Sequence, residues 1–135
     1  MLRYIELKTG YSDNGPAWVG RVTLSRSGRT VYFNGRALKR AVRGGIVGNH
    51  YDLATHEWYW ISGVKKNGLD RHRAGSGKVM IEASAVPEYL KSTGTTSLDS
   101  TRFTTVDDLP LTDPASFLEL ENRTLREQRG RRTTR

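Results

Sequence analysis

Three histidines, His50, His56 and His72, are the side chains of this chain best suited to moving protons near neutral pH. Tyr51 follows His50, and His72 stands in "DRHR" (70–73), so each has a phenol or guanidinium beside it. An imidazole acting as base, with a cation to stabilise a phosphorane, is the chemistry of RNA cleavage. His50 and His72 are therefore the candidates for a small ribonuclease or toxin-like enzyme. The preferred expectation is that both are turn residues, because no third group stands at a spacing that would orient either ring. Zinc would need Asp52 or Asp70 to complete a histidine site, and no such ligand spacing is present. No metal and no cofactor is expected.

A denser constellation is "WYWISGVKKNGLDRHRAGSGK" (58–78). Strand alternation sends Trp58 and Trp60 to one face and Tyr59 to the other. Exposed aromatics beside Lys65, Lys66, Arg71, Arg73 and Lys78 would make a stacking platform with phosphate clamps. The competing expectation is that the rings are core and the cations only solvate the turn. "AGSGK" (74–78) is not a phosphate loop, since His72 stands where the motif needs glycine and Val79 where it needs Ser or Thr.

Arg36, Lys39, Arg40 and Arg43 extend the basic set, and no acidic residue occurs between Asn14 and Tyr51. The C-terminal "RTLREQRGRRTTR" adds Arg129, Arg131 and Arg132, an end suited to ordering on nucleic-acid phosphates. The net charge is +9 over residues 1–81, −6 over 82–121 and +5 over the last fourteen residues. A pI near 10.1 makes an anionic partner the first expectation. RNA or a ribonucleoprotein is favoured over a DNA sequence, because no helix-turn-helix or zinc finger is visible. An acidic protein is the other partner such a surface would take.

The absence of cysteine removes disulfides and thiolate catalysis and suits a reducing compartment. No stretch approaches the roughly 20 apolar residues of a membrane span, and the N-terminus lacks a signal peptide's apolar run. A cytoplasmic, soluble protein is the expectation.

These residues must be positioned by a small, mainly β domain. "RYIELKT" (3–9), "AWVGRVTL" (17–24), "RTVYFN" (29–34), "HYDL" (50–53), "EWYWISGV" (57–64) and "KVMIEA" (78–83) predict strands, punctuated by turn sequences at 12–16, 25–28, 34–35 and 65–68. "RALKRA" (36–41) fits a helical turn or a further strand, "RGGIVGN" (43–49) a loop, and "TRFTTV" (101–106) another strand. "SAVPEYLKSTG" (84–94) predicts a short helix capped by Ser84 and closed by Gly94. Asp113 and Pro114 open a second helix running to Arg129. The expected architecture is a twisted antiparallel sheet or partly open barrel over residues 1–110, with five or six strands up to residue 83 and one more at 101–106. A C-terminal helix (111–129) and a flexible tail (130–135) follow.

"YIELKTGYSDNGPAW", "GRTVYFNGRALKR" and "GNHYDLATHEWYWISGVKKNGLDRH" together resemble a family of small bacterial proteins, over roughly residues 4–82. The resemblance assigns no activity to any residue. Similar sequences carry the label 1-deoxyxylulose-5-phosphate synthase, which this chain contradicts. It is far too short for a thiamine-diphosphate enzyme and lacks the Gly-Asp-Gly element that holds the magnesium diphosphate.

Overall fold

The computed structural model describes residues 1–8, 15–44, 48–68 and 77–133, with side chains for all of these except 42–44 and 128–133. Among them are nine strands: β1 (Leu2–Leu7), β2 (Ala17–Arg21), β3 (Thr23–Leu24), β4 (Thr30–Phe33), β5 (Arg36–Gly44), β6 (Gly48–Asp52), β7 (Trp58–Gly63), β8 (Val79–Glu82) and β9 (Phe103–Val106). Helix α1 (Val86–Thr93) lies between β8 and β9, and helix α2 (Leu118–Thr133) follows a 3-10 turn at Pro114–Phe117.

All nine strands belong to one sheet, in the order β3-β4-β5-β6-β7-β1-β2-β8-β9. It curls into a half-barrel, and the curl has a local cause. β2 and β3 are one run of chain broken only at Val22, yet β2 pairs with β1 while β3 pairs with β4. The bend at Val22 thus carries the sheet round until Trp18 of β2 meets Phe33 of β4 edge-on, with ring centroids 5.9 Å apart.

Alternation then sorts the apolar residues. Ile5, Val31, Phe33, Leu38, Tyr59 and Ile61 fill the concave side. Leu2, Tyr4, Val19, Val79 and Ile81 face the other way and are covered by α1 through Ala85 and Tyr89. Phe117 and Leu120, at the start of the C-terminal helix, pack on Tyr32, Ala37 and Leu53 at the back of β4–β6. Tyr32 Oη donates to Glu121 Oε1 at 2.8 Å there, and burial with that carboxylate pushes the phenol up to about 12.

Turn chemistry is as its residues require. Asn34 and Gly35 take φ of 51° and 72°, the two-residue left-handed turn that joins β4 to β5. Gly94 closes α1 at φ 70°, and Asp113 caps the C-terminal 3-10 turn by accepting from the Ala115 N–H.

The structure departs from the sequence-based expectation in several places. There are nine strands among the described residues, more than the five or six plus one expected, and the β2–β8 and β8–β9 pairings are parallel. A parallel crossover is possible because the helix α1 carries the chain back from β8 to β9. Residues 36–41 take the strand alternative, and the described residues of the glycine-rich 43–49 stretch, Arg43, Gly44, Gly48 and Asn49, lie in strands rather than a loop, with Gly44 paired to Gly48. Gly48 is required there: at φ 117°, a Cβ would stand 2.6 Å from the Tyr59 carbonyl oxygen. Ser84 makes no cap; a 3-10 turn at Ala83–Ala85 precedes α1, and the Ser84 N–H instead donates to Asp108. α2 runs through Gly130 to Thr133, so most of the expected tail is helical, a single glycine costing only about 1 kcal/mol. The turn expected at 12–14 lies outside the described residues.

The seam beside Val22 is closed by one carboxylate. Glu82, 7% exposed, accepts from the Arg21 N–H at 3.1 Å and from the Leu109 N–H at 3.0 Å. Gly20 leaves room for it, since a Cβ there would lie 2.3 Å from Glu82 Oε1 and 2.8 Å from the Phe33 ring. Glu82→Ala leaves two partly buried N–H groups without acceptors and should cost about 2–4 kcal/mol in urea unfolding. Gly20→Ala should also be destabilising. Losses within about 0.5 kcal/mol, the scale of an ordinary surface change, would show that the seam does not depend on this contact.

Candidate nucleic-acid interface

In a run of antiparallel hairpins, alternate turns lie at alternate ends of the sheet. The β3–β4 turn, the β5–β6 turn and the exit of β7 therefore share one end. That end carries Arg26 and Arg29 in the first turn and Lys65 and Lys66 just beyond β7, while Arg40, midway along β5, sits beside the start of β4. The Arg40 N–H donates to the Arg29 carbonyl at 2.7 Å, which ties the turn to β5. Arg26, Arg29, Arg40 and Lys66 are exposed, and no carboxylate among the described residues pairs with any of them. Arg43 lies on the β5 backbone toward this end, with its side chain outside the description.

The opposite end holds acidic groups. Asp52, 1% exposed, accepts from Arg36 at 2.7 Å and from the Ala54 and Thr55 N–H groups, fixing the β6–β7 turn. Glu57 stands 4.0 Å from the same guanidinium. Arg36 is thus committed to holding a buried carboxylate, which corrects its place among the phosphate contacts. Lys78 also belongs to this end, because β8 runs parallel to β2 and begins beside its start.

The aromatic residues are placed differently from the expected platform. Tyr59 is 2% exposed in the concave core and offers no face for stacking. Trp60 is half-buried against the cluster under α1. Trp58 is half-buried at the start of β7, roughly 17 Å along a six-residue strand from the lysines that follow it. Trp58 packs instead on Tyr51, centroids 5.7 Å apart, and Lys39 is the cross-strand neighbour of Tyr51. The structure therefore separates the aromatic pair from Lys65 and Lys66. Arg71, His72 and Arg73 lie outside the described residues, as do the side chains of Arg129, Arg131 and Arg132.

His50 is a buried residue, not an exposed turn histidine, and sequence reasoning missed what orients it. Asn49 makes a side-chain bridge to β7: its Nδ2 donates to the Ile61 carbonyl at 2.8 Å, and its Oδ1 accepts the Ile61 N–H at 2.8 Å. Both ends of that amide are thereby assigned. His50 Nδ1, 2.8 Å from the same Oδ1, must carry the hydrogen, which leaves the lone pair on Nε2. Burial and then the Arg40 charge across the strand push this imidazole down to about 4. His56, by contrast, is exposed in a left-handed turn conformation.

A cleft of about 300 Å³ lies along the seam, lined by Arg21, Tyr32, Asn34, Glu82, Asp108 and Thr112 among others. Its charges are already used: Arg21 reaches Glu88 and the Ser84 carbonyl, Asp108 takes the Ser84 N–H, and Glu82 takes two N–H groups. Among the described residues no cluster of three His, Asp or Glu could hold a metal ion, and no helix is long and apolar enough to cross a membrane.

Comparison with protein-family models, with curated proteins and with solved structures finds no match to this chain. The class that the geometry defines is a mostly-β half-barrel sheet with two short helices.

The His50 environment has a consequence for stability. At pH 7 the ring is neutral in both the folded and the unfolded chain. Below about 6.5 the unfolded chain binds a proton that the folded one refuses until about pH 4, so stability falls through that window and levels off beneath it. The loss should reach about 2 kcal/mol by pH 5. Chemical denaturation of wild type, His50→Gln and His56→Gln at pH 7 and 5 isolates it. The acid-side loss should shrink only in His50→Gln, and equal losses in all three would refute the assignment.

Proposed function

We propose that the protein binds nucleic acid, RNA in preference, through the phosphate backbone at its basic end. The observation that supports this is that Arg26, Arg29 and Arg40 adjoin at the β3–β4 turn, that β7 exits in the same direction toward Lys65 and Lys66, and that the Asp52–Glu57 turn lies at the other end of these strands. Guanidinium groups clustered without carboxylate partners suit phosphate oxygens, which they contact in charge-assisted pairs. Because the Tyr51–Trp58 pair lies away from this end, the affinity comes from phosphates and depends little on base identity.

Replacing Arg26, Arg29 and Arg40 together with Gln should weaken binding of a single-stranded oligoribonucleotide. At roughly 0.5–1 kcal/mol for each exposed contact, the loss is about 10- to 100-fold. The slope of log affinity against log salt should become shallower by about 2 units, from three phosphates at about 0.7 each. Trp58→Ala and Lys78→Gln should leave both quantities near wild type. Unchanged affinity and slope in a folded triple variant would overturn the proposal. Equal affinity for polyglutamate of matched charge would turn it toward an acidic protein partner.

A further inference from the structure

His50 Nε2 combines three features that the phosphate-backbone reading does not use. Its lone pair is fixed there by Asn49, because Nδ1 must donate to Oδ1. It has no hydrogen-bond partner among the described residues. The residue directly across the ladder is Arg40, an exposed cation without a carboxylate partner among the described residues. Cross-strand neighbours on one face of a sheet stand roughly 5 Å apart at Cβ, so a single small group can touch both.

The other groups facing this ring are few. Tyr59 lies across from it on β7, and burial raises its phenol, so it stays neutral. Asp52, two residues along β6 on the same face, is occupied by Arg36 and the turn N–H groups. A neutral acceptor next to an unpaired cation is poorly matched to a phosphodiester, which has negative oxygens and no proton to give. It matches a phosphate monoester, whose second proton leaves only near pH 6 and which therefore carries both an O–H and an anionic oxygen.

We propose that Arg40 and His50 form a subsite for a terminal phosphate, with the guanidinium on the anionic oxygens and His50 Nε2 holding the remaining phosphate proton. The proposal rests on the nucleic-acid reading for its substrate class, a 5′- or 3′-phosphorylated strand end, but the subsite itself needs only a phosphate monoester. No bond is made or broken. One proton is shared between phosphate oxygen and imidazole, so occupancy favours the singly protonated pair and strengthens as pH falls from about 8 to about 6.

Nitrogen-15 NMR of the histidine rings tests the subsite directly. The free protein should show His50 as the Nδ1–H tautomer. Millimolar inorganic phosphate should move its Nε2 resonance and raise its titration midpoint, and Arg40→Gln should abolish that response. In parallel, labelled oligoribonucleotides with hydroxyl, 5′-phosphate or 3′-phosphate ends are compared by anisotropy. A terminal phosphate should add roughly 3- to 10-fold in affinity near pH 6 and less near pH 8, a gain of about one charge-assisted hydrogen bond. His50→Gln should remove the pH dependence of that gain while leaving the hydroxyl-ended strand bound as before. A response to phosphate with no RNA binding would keep the subsite and refute the nucleic-acid reading. RNA binding with no end preference, and a His50 resonance indifferent to phosphate, would refute the subsite alone.

Discussion

The carboxylate of Glu82 holds together parts of the chain that have little else in common. It takes one N–H from Arg21, where β2 bends toward β3, and another from Leu109, in the segment that leads from β9 to the C-terminal helix. Those two donors are what a bent strand and an irregular crossover leave unpaired, and a partly buried orphan N–H costs on the order of 1–3 kcal/mol. With the carboxylate in place, Leu109 can pack on the concave core and the chain continues to Thr112, whose Oγ1 accepts the Gly35 N–H, and to Phe117 on the back of the sheet. The room for this contact comes from Gly20, the one position of β2 where a side chain would collide with both Glu82 and Phe33. The curl of the sheet and the seating of the last third thus share a single acidic anchor.

The same curl decides where charge ends up. Between β3 and β7 the chain reverses four times, so turn residues are dealt alternately to two ends. Arginines in the first and third turns' neighbourhoods fall together, and Asp52 with Glu57 falls opposite. Arg36 is dealt to the acidic end, and it pairs there with Asp52 at 2.7 Å. A net charge of +8 spread evenly would mean little beyond solubility, whereas three adjoining arginines without carboxylate partners among the described residues give a local field with a direction.

Much of the β framework was legible because period-two alternation and turn chemistry are local signals. The Asn34-Gly35 turn, the β6–β7 hairpin, the Asp113–Pro114 helix start and the Gly94 stop each needed only a few adjacent residues. The split of the 17–24 strand into β2 and β3 and the parallel pairings of β8 depend on contacts between residues far apart in sequence, which no window along the chain contains. Ser84 illustrates the conflict: its type suits a helix cap, but its N–H is taken by Asp108, twenty-four residues on. The candidate site was legible as composition and not as arrangement. Lys65 and Lys66 lie close in sequence to Trp58 and Trp60, yet strand length separates them from Trp58, while Arg29 and Arg40, eleven positions apart, are joined by a backbone hydrogen bond.

The position of His50 was the hardest to foresee, because its orientation comes from an asparagine acting as backbone. Asn49 supplies one acceptor and one donor to Ile61, as a peptide group in a ladder would, and does so where β5 and β6 pair irregularly between Arg40 and Gly44. In sequence, "GNHYD" offers no reason to give Asn49 that role rather than a turn role. Once the amide is locked from both sides, the tautomer of the next residue is determined, and so is the chemistry its free nitrogen can offer. An irregular ladder that would otherwise be only a defect thus fixes a hydrogen-bond acceptor on the ring across from Arg40.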